Sequence, residues 1–313
     1  MTLAVDAHGL SKSYGALKAV DALELQVPAG IVLGFLGPNG AGKTTAIRML
    51  TTILSPTAGS FSVAGVPHTR PIEIRSRIGV LPESAGYPER QTGEEFLRYH
   101  ARLFGHSRSS ARERAIALLD EVGLATRGHT LIGGYSRGMR QRLGMARALV
   151  NDPEVVFLDE PTLGLDPAGQ RQMLELVQRI TKERGATVLL STHLLAEVEE
   201  VCSRVVILNR GRVVAEGTVA EVARQAAAPR SARLRVAPDC TAPALAALSD
   251  GGKLSAAELR PGELELTFSA EAVPEAMSAE ALRLVLGADI PVLGFELEGG
   301  RLSDAFLAMT ESA

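Results

Sequence analysis

Short apolar runs separated by helix-like stretches and glycine-rich turns fill the chain up to about residue 218. Three of these runs, residues 31–37, 155–158 and 188–190, are continuously apolar, which is typical of strands buried on both faces. Strands that alternate with helices in this way predict βαβ units. The pattern therefore predicts an α/β fold around a mainly parallel sheet.

Local signals give some of these elements their limits. The first buried strand is predicted over residues 31–36, and the helix after it begins near Lys43. Asp166 followed by Pro167 predicts a helix start, an N-cap residue with proline at the first helical position, and Gly185 ends that helix. Pro153 introduces the strand before that helix, and a further strand follows it over residues 186–190.

The segment from about residue 93 to residue 123 has a different pattern. Its polar and apolar residues recur at helical spacing throughout, without the short apolar runs of the flanking regions. We interpret it as part of a helical lobe inserted into the α/β domain, at about residues 91–150.

A change of composition over residues 225–230 suggests a junction between two domains, residues 1–225 and residues 231–313. Beyond the junction, Leu264, Leu266 and Phe268 alternate with polar residues, which predicts a half-exposed strand. Helices are predicted at about residues 274–286 and 302–310, and further strands near residues 233–236 and 291–297. The second domain is therefore expected to be a small α+β domain.

Composition and charge exclude several classes of protein. The 313 residues are 46% hydrophobic and 22% charged, which is typical of a globular protein with a core. We find no apolar run long enough to cross a bilayer and no secretion signal, so we expect any membrane role to come through a partner. The net charge of −3 divides into +4 for residues 1–230 and −7 for residues 231–313, without the basic stripe that nucleic-acid binding needs.

The cysteines and histidines suggest no covalent or metal framework. Cys202 and Cys240 lack CxxC spacing, which indicates a reducing compartment and two ordinary small thiols. None of the six histidines lies at metal-ligand spacing from a cysteine or a carboxylate, so a transition-metal site is not expected.

The strongest chemical signal is the segment Gly37-Pro38-Asn39-Gly40-Ala41-Gly42-Lys43-Thr44, which matches the phosphate-binding pattern GxxxxGK[ST]. Its glycines let successive backbone N–H groups surround an anion, and the following helix directs its positive end at the same phosphates. Lys43 adds a charge between the outer phosphates, and the Thr44 hydroxyl can ligate Mg²⁺. The pattern predicts binding of a nucleoside triphosphate.

Two further strand ends carry candidate catalytic groups. The strand over residues 155–158 is followed by Asp159, which would hold Mg²⁺, and Glu160, which would polarise the attacking water. In isolation such a pair is often only a solvated acidic strand end. His193 follows the next strand and is expected at the same sheet edge, where α/β proteins bind their ligands, although a lone histidine there is usually structural.

A second anion-binding device lies far along the chain, where Ser136 and Gly138 open a helix that continues to about residue 150. One triphosphate does not need two such devices from the same chain. The simpler hypothesis is that this one serves the nucleotide of a second copy.

Together these segments resemble the ATP-binding cassettes of ABC transporters over roughly residues 3–218. Residues 37–45 are similar to the Walker A loop of that family, residues 155–161 to Walker B, residues 135–139 to the signature, residues 163–166 to the D-loop, and His193 to the switch histidine. Tyr14 matches the aromatic residue that stacks on adenine. The resemblance implies a P-loop NTPase cassette with a mainly parallel sheet, an antiparallel β part and an inserted helical lobe.

The resemblance also implies roles for individual residues. Catalysis would fall to Glu160, His193 and Lys43, and metal binding to Thr44, Asp159 and Glu83. The implied ATP contacts are Tyr14, Gly37, Pro38, Asn39, Gly40, Ala41, Gly42, Lys43, Thr44 and Thr45, with Ser136, Gly138 and Asp166 from the signature and the D-loop.

Two motifs depart from the common family pattern. The signature has Arg137 and Met139 where glycine and glutamine are usual, and Glu83 stands where the Q-loop glutamine is usual. These variants are similar to those of drug-, antibiotic- and polysaccharide-exporter ATPases, whose permease is often a separate chain. Residues 302–310 are similar to the C-terminal extension of drug-resistance ATPases in that class.

The resemblance implies an ATPase subunit that binds ATP with Mg²⁺ as its cofactor. It would pair with a second, identical cassette and attach through a permease to the cytoplasmic face of the membrane. It would power an exporter of drugs, antibiotics or another hydrophobic or polymeric cargo. Three alternatives stay open from the sequence: an importer subunit, a soluble ABC ATPase of translation or DNA repair, and a nucleotide-dependent switch without catalysis.

Overall fold

The computed structural model describes residues 2–84, 86–225, 231–249, 254–269, 273–298 and 302–311. The chain divides into an N-terminal unit, Met1–Val219, and a C-terminal unit, Ala220–Ala313. The division lies six residues before the predicted end of the first domain at residue 225. The reason is that the last strand of the N-terminal unit ends at Thr218, where it is paired with Arg204. The predicted junction at residues 226–230 lies outside the described residues.

The strands described in the N-terminal unit are β1 (Leu3–Tyr14), β2 (Leu17–Pro28), β3 (Val32–Leu36), β4 (Ala58–Val63), β5 (Val66–Pro67), β6 (Ile78–Leu81), β7 (Val155–Asp159), β8 (Thr187–Ser191), β9 (Arg204–Asn209) and β10 (Arg212–Thr218). The helices are α1 (Lys43–Leu50), α2 (Pro71–Arg77), α3 (Gly93–Leu103), α4 (Arg108–Glu121), α5 (Arg137–Ala148), α6 (Pro167–Arg184) and α7 (Leu195–Val201). Helix α8 (Val219–Gln225) begins at the division between the units.

Two sheets form the N-terminal unit. The antiparallel sheet has the order β2-β1-β4-β5, and the larger sheet has the order β10-β9-β3-β8-β7-β6. In the larger sheet all neighbours are parallel except β9 and β10. Because β3, β7 and β8 run in the same direction, the segments that follow them leave the sheet at one edge.

The core strands are buried on both faces, which explains their continuous apolar sequences. Every residue of β3, β7 and β8 is buried. Alternate side chains point to opposite faces. Val156 and Leu158 pack with the apolar residues of the helical lobe, whereas Val155 and Phe157 pack with those of α1 and the antiparallel sheet. The sheet therefore separates two hydrophobic layers.

The helical lobe consists of α3, α4 and α5, in the region predicted for it. Helix α3 begins with a capping box: the Thr92 hydroxyl accepts from the Glu95 N–H at 3.2 Å, and the Glu95 carboxylate accepts from the Thr92 N–H at 2.9 Å. The Ser136 hydroxyl caps α5 by accepting from the Met139 N–H at 3.2 Å.

Helix α6 has the limits that the sequence predicts. The Asp166 carboxylate accepts from the Gly169 N–H at 3.1 Å, Pro167 is the first helical residue, and Gly185 ends the helix with φ +67°. One face of the helix carries Met173 and Ile180 into the core. The loop between β7 and α6, residues 160–166, is therefore fixed at both ends.

The C-terminal unit is a small α+β domain. Its described elements, in addition to α8, are β11 (Ser231–Val236), α9 (Thr241–Leu248), β12 (Leu254–Arg260), β13 (Glu263–Phe268), α10 (Pro274–Gly287), β14 (Val292–Glu298) and α11 (Leu302–Glu311). The sheet is antiparallel in the order β12-β13-β11-β14. Helix α9 and strand β12 were not predicted from the sequence. Leu264, Leu266 and Phe268 form its core, but Glu263 is also buried, since Arg233 and Arg260 pair with its carboxylate.

Among the residues that the structure describes, no helix combines the length and the apolar composition needed to cross a membrane.

The capping box of α3 gives a test of the lobe. Replacing Thr92 by alanine should lower the free energy of unfolding by about 1 kcal/mol, because the Glu95 N–H then loses its acceptor. Replacing Thr92 by serine keeps the hydroxyl and should cost much less. Urea denaturation compares the three proteins, and equal stability of the alanine variant and the wild type would contradict the capping role.

Candidate active site

The phosphate loop connects β3 to α1 in a conformation that requires glycine. Gly37 has φ +155°, and a methyl group there would lie 2.4 Å from the Leu208 carbonyl oxygen. Gly42 has φ +104°, and a methyl group there would lie 2.4 Å from the Ala19 carbonyl oxygen. Helix α1 begins directly after Gly42 without a side-chain cap, so its first N–H groups remain available to an anion.

Lys43 lies on the inside of this loop. Its side chain is almost fully buried, and Nζ donates to the Gly37 carbonyl at 2.6 Å and to the Pro38 carbonyl at 3.3 Å. Burial lowers the pKa of the Lys43 ammonium, and the carboxylates of Glu160, Asp159 and Glu83 oppose that shift. The lysine thus places one positive charge among three carboxylates and next to the loop.

Thr44 and Asp159 meet where β7 ends beside α1. The Thr44 hydroxyl donates to Asp159 Oδ1 at 3.5 Å, and Asp159 is buried. These are hard oxygen donors of the kind that Mg²⁺ takes together with substrate phosphates. Within the described ranges, no three His, Cys, Asp or Glu side chains converge to hold a metal by themselves. The donor set therefore fits Mg²⁺ bound jointly with a triphosphate.

Glu160 and His193 form a hydrogen-bonded pair. The Glu160 carboxylate Oε2 lies 2.9 Å from His193 Nδ1, and its side chain is 12% exposed, against 45% for the histidine. Glu160 has φ +50°, unusual for a residue other than glycine, and its N–H donates to the Ser191 carbonyl at 2.9 Å. This backbone turn directs the carboxylate away from the strand and toward the histidine that follows β8.

The electrostatics of Glu160 suit a general base. Burial raises the pKa of its carboxyl group, while His193 and Lys43 lower it and Asp159 raises it further. A base is most effective when its pKa lies closer to the working pH than that of an ordinary carboxyl group. The pair therefore provides a carboxylate that can accept a proton from water, with an imidazole that holds it in place.

These groups surround a cavity of about 530 Å³, which is large enough for a nucleotide. Its lining residues are Ala19, Asn39, Gly40, Ala41, Gly42, Lys43, Thr44, Thr45, Glu83, Glu160, Leu163 and His193. The structure thus brings together the phosphate loop, Glu83 and the proposed catalytic residues. Gly37, Pro38 and Asp159 are not in the lining but accept hydrogen bonds from Lys43 and Thr44.

Other residues predicted for the site lie outside this lining. Tyr14 is 48% exposed, and the Lys12 ammonium lies 5.5 Å from the centre of its ring. Ser136 and Gly138 are at the start of α5, and the Asp166 carboxylate is engaged in capping α6. The signature residues thus do not line the cavity of their own chain.

Two residues of the lining, Ala19 and Leu163, were not predicted as site residues, although Leu163 lies in the segment that resembles the D-loop. Ala19 is in β2, far along the chain from the loop, and no sequence signal marks it. Leu163 follows Glu160 by three residues, and its N–H donates to the Glu160 carbonyl at 3.2 Å. Its place in the segment that resembles the D-loop, three residues after Glu160, was a usable sequence signal.

A glycine-rich loop between a buried strand and a helix, with carboxylates at the end of a neighbouring parallel strand, defines a P-loop nucleoside triphosphatase. Comparison with known families agrees, since the family described as ABC transporter matches residues 20–163.

Two curated relatives and one solved structure extend the comparison. The chain is 39% identical, over 99% of its length and 93% of the relative's, to the daunorubicin/doxorubicin resistance ATP-binding protein DrrA of Streptomyces peucetius. It is 40% identical to the bacitracin transport ATP-binding protein BcrA of Bacillus licheniformis, over 69% of the chain and 70% of the relative. A solved ATP-binding subunit of an ABC transporter aligns with a TM-score of 0.64 and 35% identity, over 72% of this chain and 93% of that one.

The chain therefore belongs to the ABC transporter family, as an ATP-binding subunit. It is an ATPase with the cassette fold that the sequence predicts, and its described N-terminal unit contains the α/β core and the helical lobe of that fold.

The Glu160–His193 pair gives a test by pH. Replacing His193 by alanine should raise the pKa of Glu160 further, because the ionised carboxylate loses the partner that stabilises it. The acid limb of the pH–kcat profile should then move to higher pH, since the base must be ionised to act. Replacing His193 by glutamine keeps a hydrogen-bond donor and should give a smaller shift. Profiles with the same acid midpoint in all three proteins would contradict this role.

Proposed function

We propose that this chain binds and hydrolyses ATP to drive a membrane exporter whose permease is a separate protein. The observation that carries the proposal is the cavity in which Glu160 and His193 face Lys43 and the phosphate loop. Intact Glu160 and His193 support catalysis and oppose a binding switch without turnover.

In the proposed reaction, the N–H groups of the loop and of α1 hold the phosphates, and Lys43 leaves its loop carbonyls to contact the outer phosphates. Thr44 and Asp159, with Glu83 in the same lining, would hold Mg²⁺, which would neutralise negative charge on the phosphates. Glu160 accepts a proton from the attacking water, and His193 keeps the Glu160 carboxylate oriented.

We propose that the site is completed by a second copy of the chain. Ser136 and Gly138 lie at the start of α5, outside the lining of the cavity of their own chain. In a pair of cassettes, this start would contact the outer phosphates bound by the other copy, as Asp166 and its loop approach the same interface. Hydrolysis removes the phosphate that joins the two copies, so the pair would open after each turnover.

A groove between the helical lobe and the α/β core supports docking of a permease. It has a volume of about 290 Å³, and its lining combines β6 with Ile53, with Phe104 after α3, and with Arg75, His100 and Arg147. Ile53 is 64% exposed and Phe104 is 43% exposed, although both are large apolar residues. Neighbouring exposed apolar side chains of this kind often mark an interaction surface. Val80 lines the groove three residues before Glu83 lines the ATP cavity. A permease helix in the groove would therefore sense movement at the nucleotide.

The relatives support export as the direction of transport. Their names include resistance to daunorubicin and doxorubicin, transport of bacitracin and export of Nod factor. We therefore propose drugs, antibiotics or other hydrophobic or polymeric compounds as the cargo class, and the cytoplasmic face of the membrane as the location of the cassette. Coupling to a permease means that the cargo itself need not touch this chain.

Replacing Glu160 by glutamine tests the catalytic assignment. The variant keeps the shape of the side chain but cannot accept a proton, so it should bind ATP with no measurable phosphate release and form a stable pair in ATP. Phosphate release and size-exclusion chromatography with ATP or ADP measure the two properties, and hydrolysis at the wild-type rate would contradict the assignment.

Deletion of the gene tests the direction of transport. Cells without the protein should accumulate more of an exported probe, with daunorubicin and bacitracin as the first candidates, and wild-type protein should reverse the effect. The Glu160→Gln variant is the matched control, since it restores the protein but not its turnover. Lower accumulation in the deletion strain would indicate import instead.

A further inference from the structure

Arg137 occupies a position that its local structure does not favour. It is the first residue of α5, directly after the Ser136 cap, and the signature usually has glycine there. A positive charge at a helix start opposes the helix dipole. Its side chain is exposed and lies outside the lining of the ATP cavity, so neither helix stability nor ATP binding within this chain explains it.

The guanidinium group lies against the loop that connects β7 to α6. Gly164 in this loop has φ +69°, and a methyl group there would lie 2.5 Å from Arg137 Cζ and 2.7 Å from Nη1. The flat guanidinium thus lies over the Cα of Gly164, where a methyl group would displace it. The two segments are also close one residue further on, because a methyl group at Gly138 would contact Leu165 Cδ2 at 3.8 Å.

This loop is stiff and includes the catalytic carboxylate. The Leu163 N–H donates to the Glu160 carbonyl at 3.2 Å, and the Leu165 N–H donates to the Thr162 carbonyl at 3.0 Å. Thr162 is fully buried, and Glu160 and Leu163 both line the ATP cavity. Two overlapping turns, residues 160–163 and 162–165, therefore connect Gly164, which lies beneath Arg137, to Glu160.

We propose that Arg137 is a positioning residue that fastens the signature to the Glu160 loop of its own chain. The inference rests on the proposed function, in which the signature serves the nucleotide of the second copy. Engagement of Ser136 and Gly138 by that nucleotide then fixes Gly164 and, through the two turns, the orientation of Glu160. Each site then reaches its full rate of hydrolysis only when the other is closed.

A different role for the arginine makes different predictions. If Arg137 instead contacted the phosphates of the second copy directly, its loss would weaken ATP-dependent pairing and raise KM, and lysine would replace it well as a point charge. Flat packing on Gly164 requires the planar guanidinium, so lysine should not restore it. These differences separate positioning from phosphate binding.

The experiment compares the wild type with Arg137→Ala and Arg137→Lys in the full chain. We expect kcat for ATP hydrolysis to fall about tenfold in both variants, with KM nearly unchanged, because the base is misplaced while binding is intact. In the Glu160→Gln background, Arg137→Ala should still form the ATP-dependent pair. Arg171→Ala is the matched control, since it removes an exposed arginine from α6, and it should keep the wild-type rate.

Several outcomes would overturn the inference. They are wild-type kcat in both variants, full rescue by lysine, loss of ATP-dependent pairing, or a lower melting temperature with unchanged turnover per folded chain. If the wild type hydrolyses ATP while the Arg137 variants match it, the inference alone fails. A wild type without hydrolysis would remove the proposed function and the inference together.

A double-mutant cycle tests the contact itself. Gly164→Ala places a methyl group where the guanidinium lies and also strains the backbone at φ +69°, so it should lower kcat even with Arg137 present. Combined with Arg137→Ala, the loss should be smaller than the product of the two single losses, because both changes break one contact. Independent, multiplying effects would contradict the link.

Discussion

The chemistry of this cassette depends on three parallel strands that end at one edge of a buried sheet. β3 leads into the phosphate loop, β7 ends at Asp159 and β8 ends two residues before His193. Their shared direction brings a lysine, two carboxylates and an imidazole together although the sequence separates Lys43 from His193 by 150 positions. Burial in this place raises the pKa of Glu160 and lowers that of Lys43. The same sheet therefore stabilises the fold and sets the protonation behaviour of the site.

The sequence predicted those parts of the molecule in which local signals and tertiary environment agree. The buried strands have continuous apolar sequences, and α6 has an N-cap, a proline and a terminal glycine at the observed positions. The conformation of the phosphate loop requires glycine at positions 37 and 42, so the sequence pattern was sufficient to predict the loop. The separation of Ser136 from the cavity was expected from the presence of two anion-binding devices in one chain.

The elements and contacts that the sequence did not predict depend mostly on interactions between distant segments. Helix α9 is rich in alanine and too short for a clear apolar period, and β12 is mostly exposed and lacks alternation. The alternation of polar and apolar residues predicts that Glu263 points to solvent, but it is buried because Arg233 and Arg260 pair with its carboxylate. The contact of Arg137 with Gly164 joins segments 27 residues apart and has no sequence signal beyond the unusual arginine.

The central claim is that one chain carries two incomplete halves of a catalytic site. Mixing two inactive variants, Lys43→Ala and Ser136→Arg, tests it most directly, because a mixed pair contains one site with an intact lysine and an intact signature. The account predicts that each variant alone is inactive and that the mixture recovers a measurable rate of ATP hydrolysis, at most about a quarter of the wild-type rate, since half of randomly formed pairs are mixed and each mixed pair has one intact site of two. An active Ser136→Arg variant, or a mixture no faster than its components, would contradict the account.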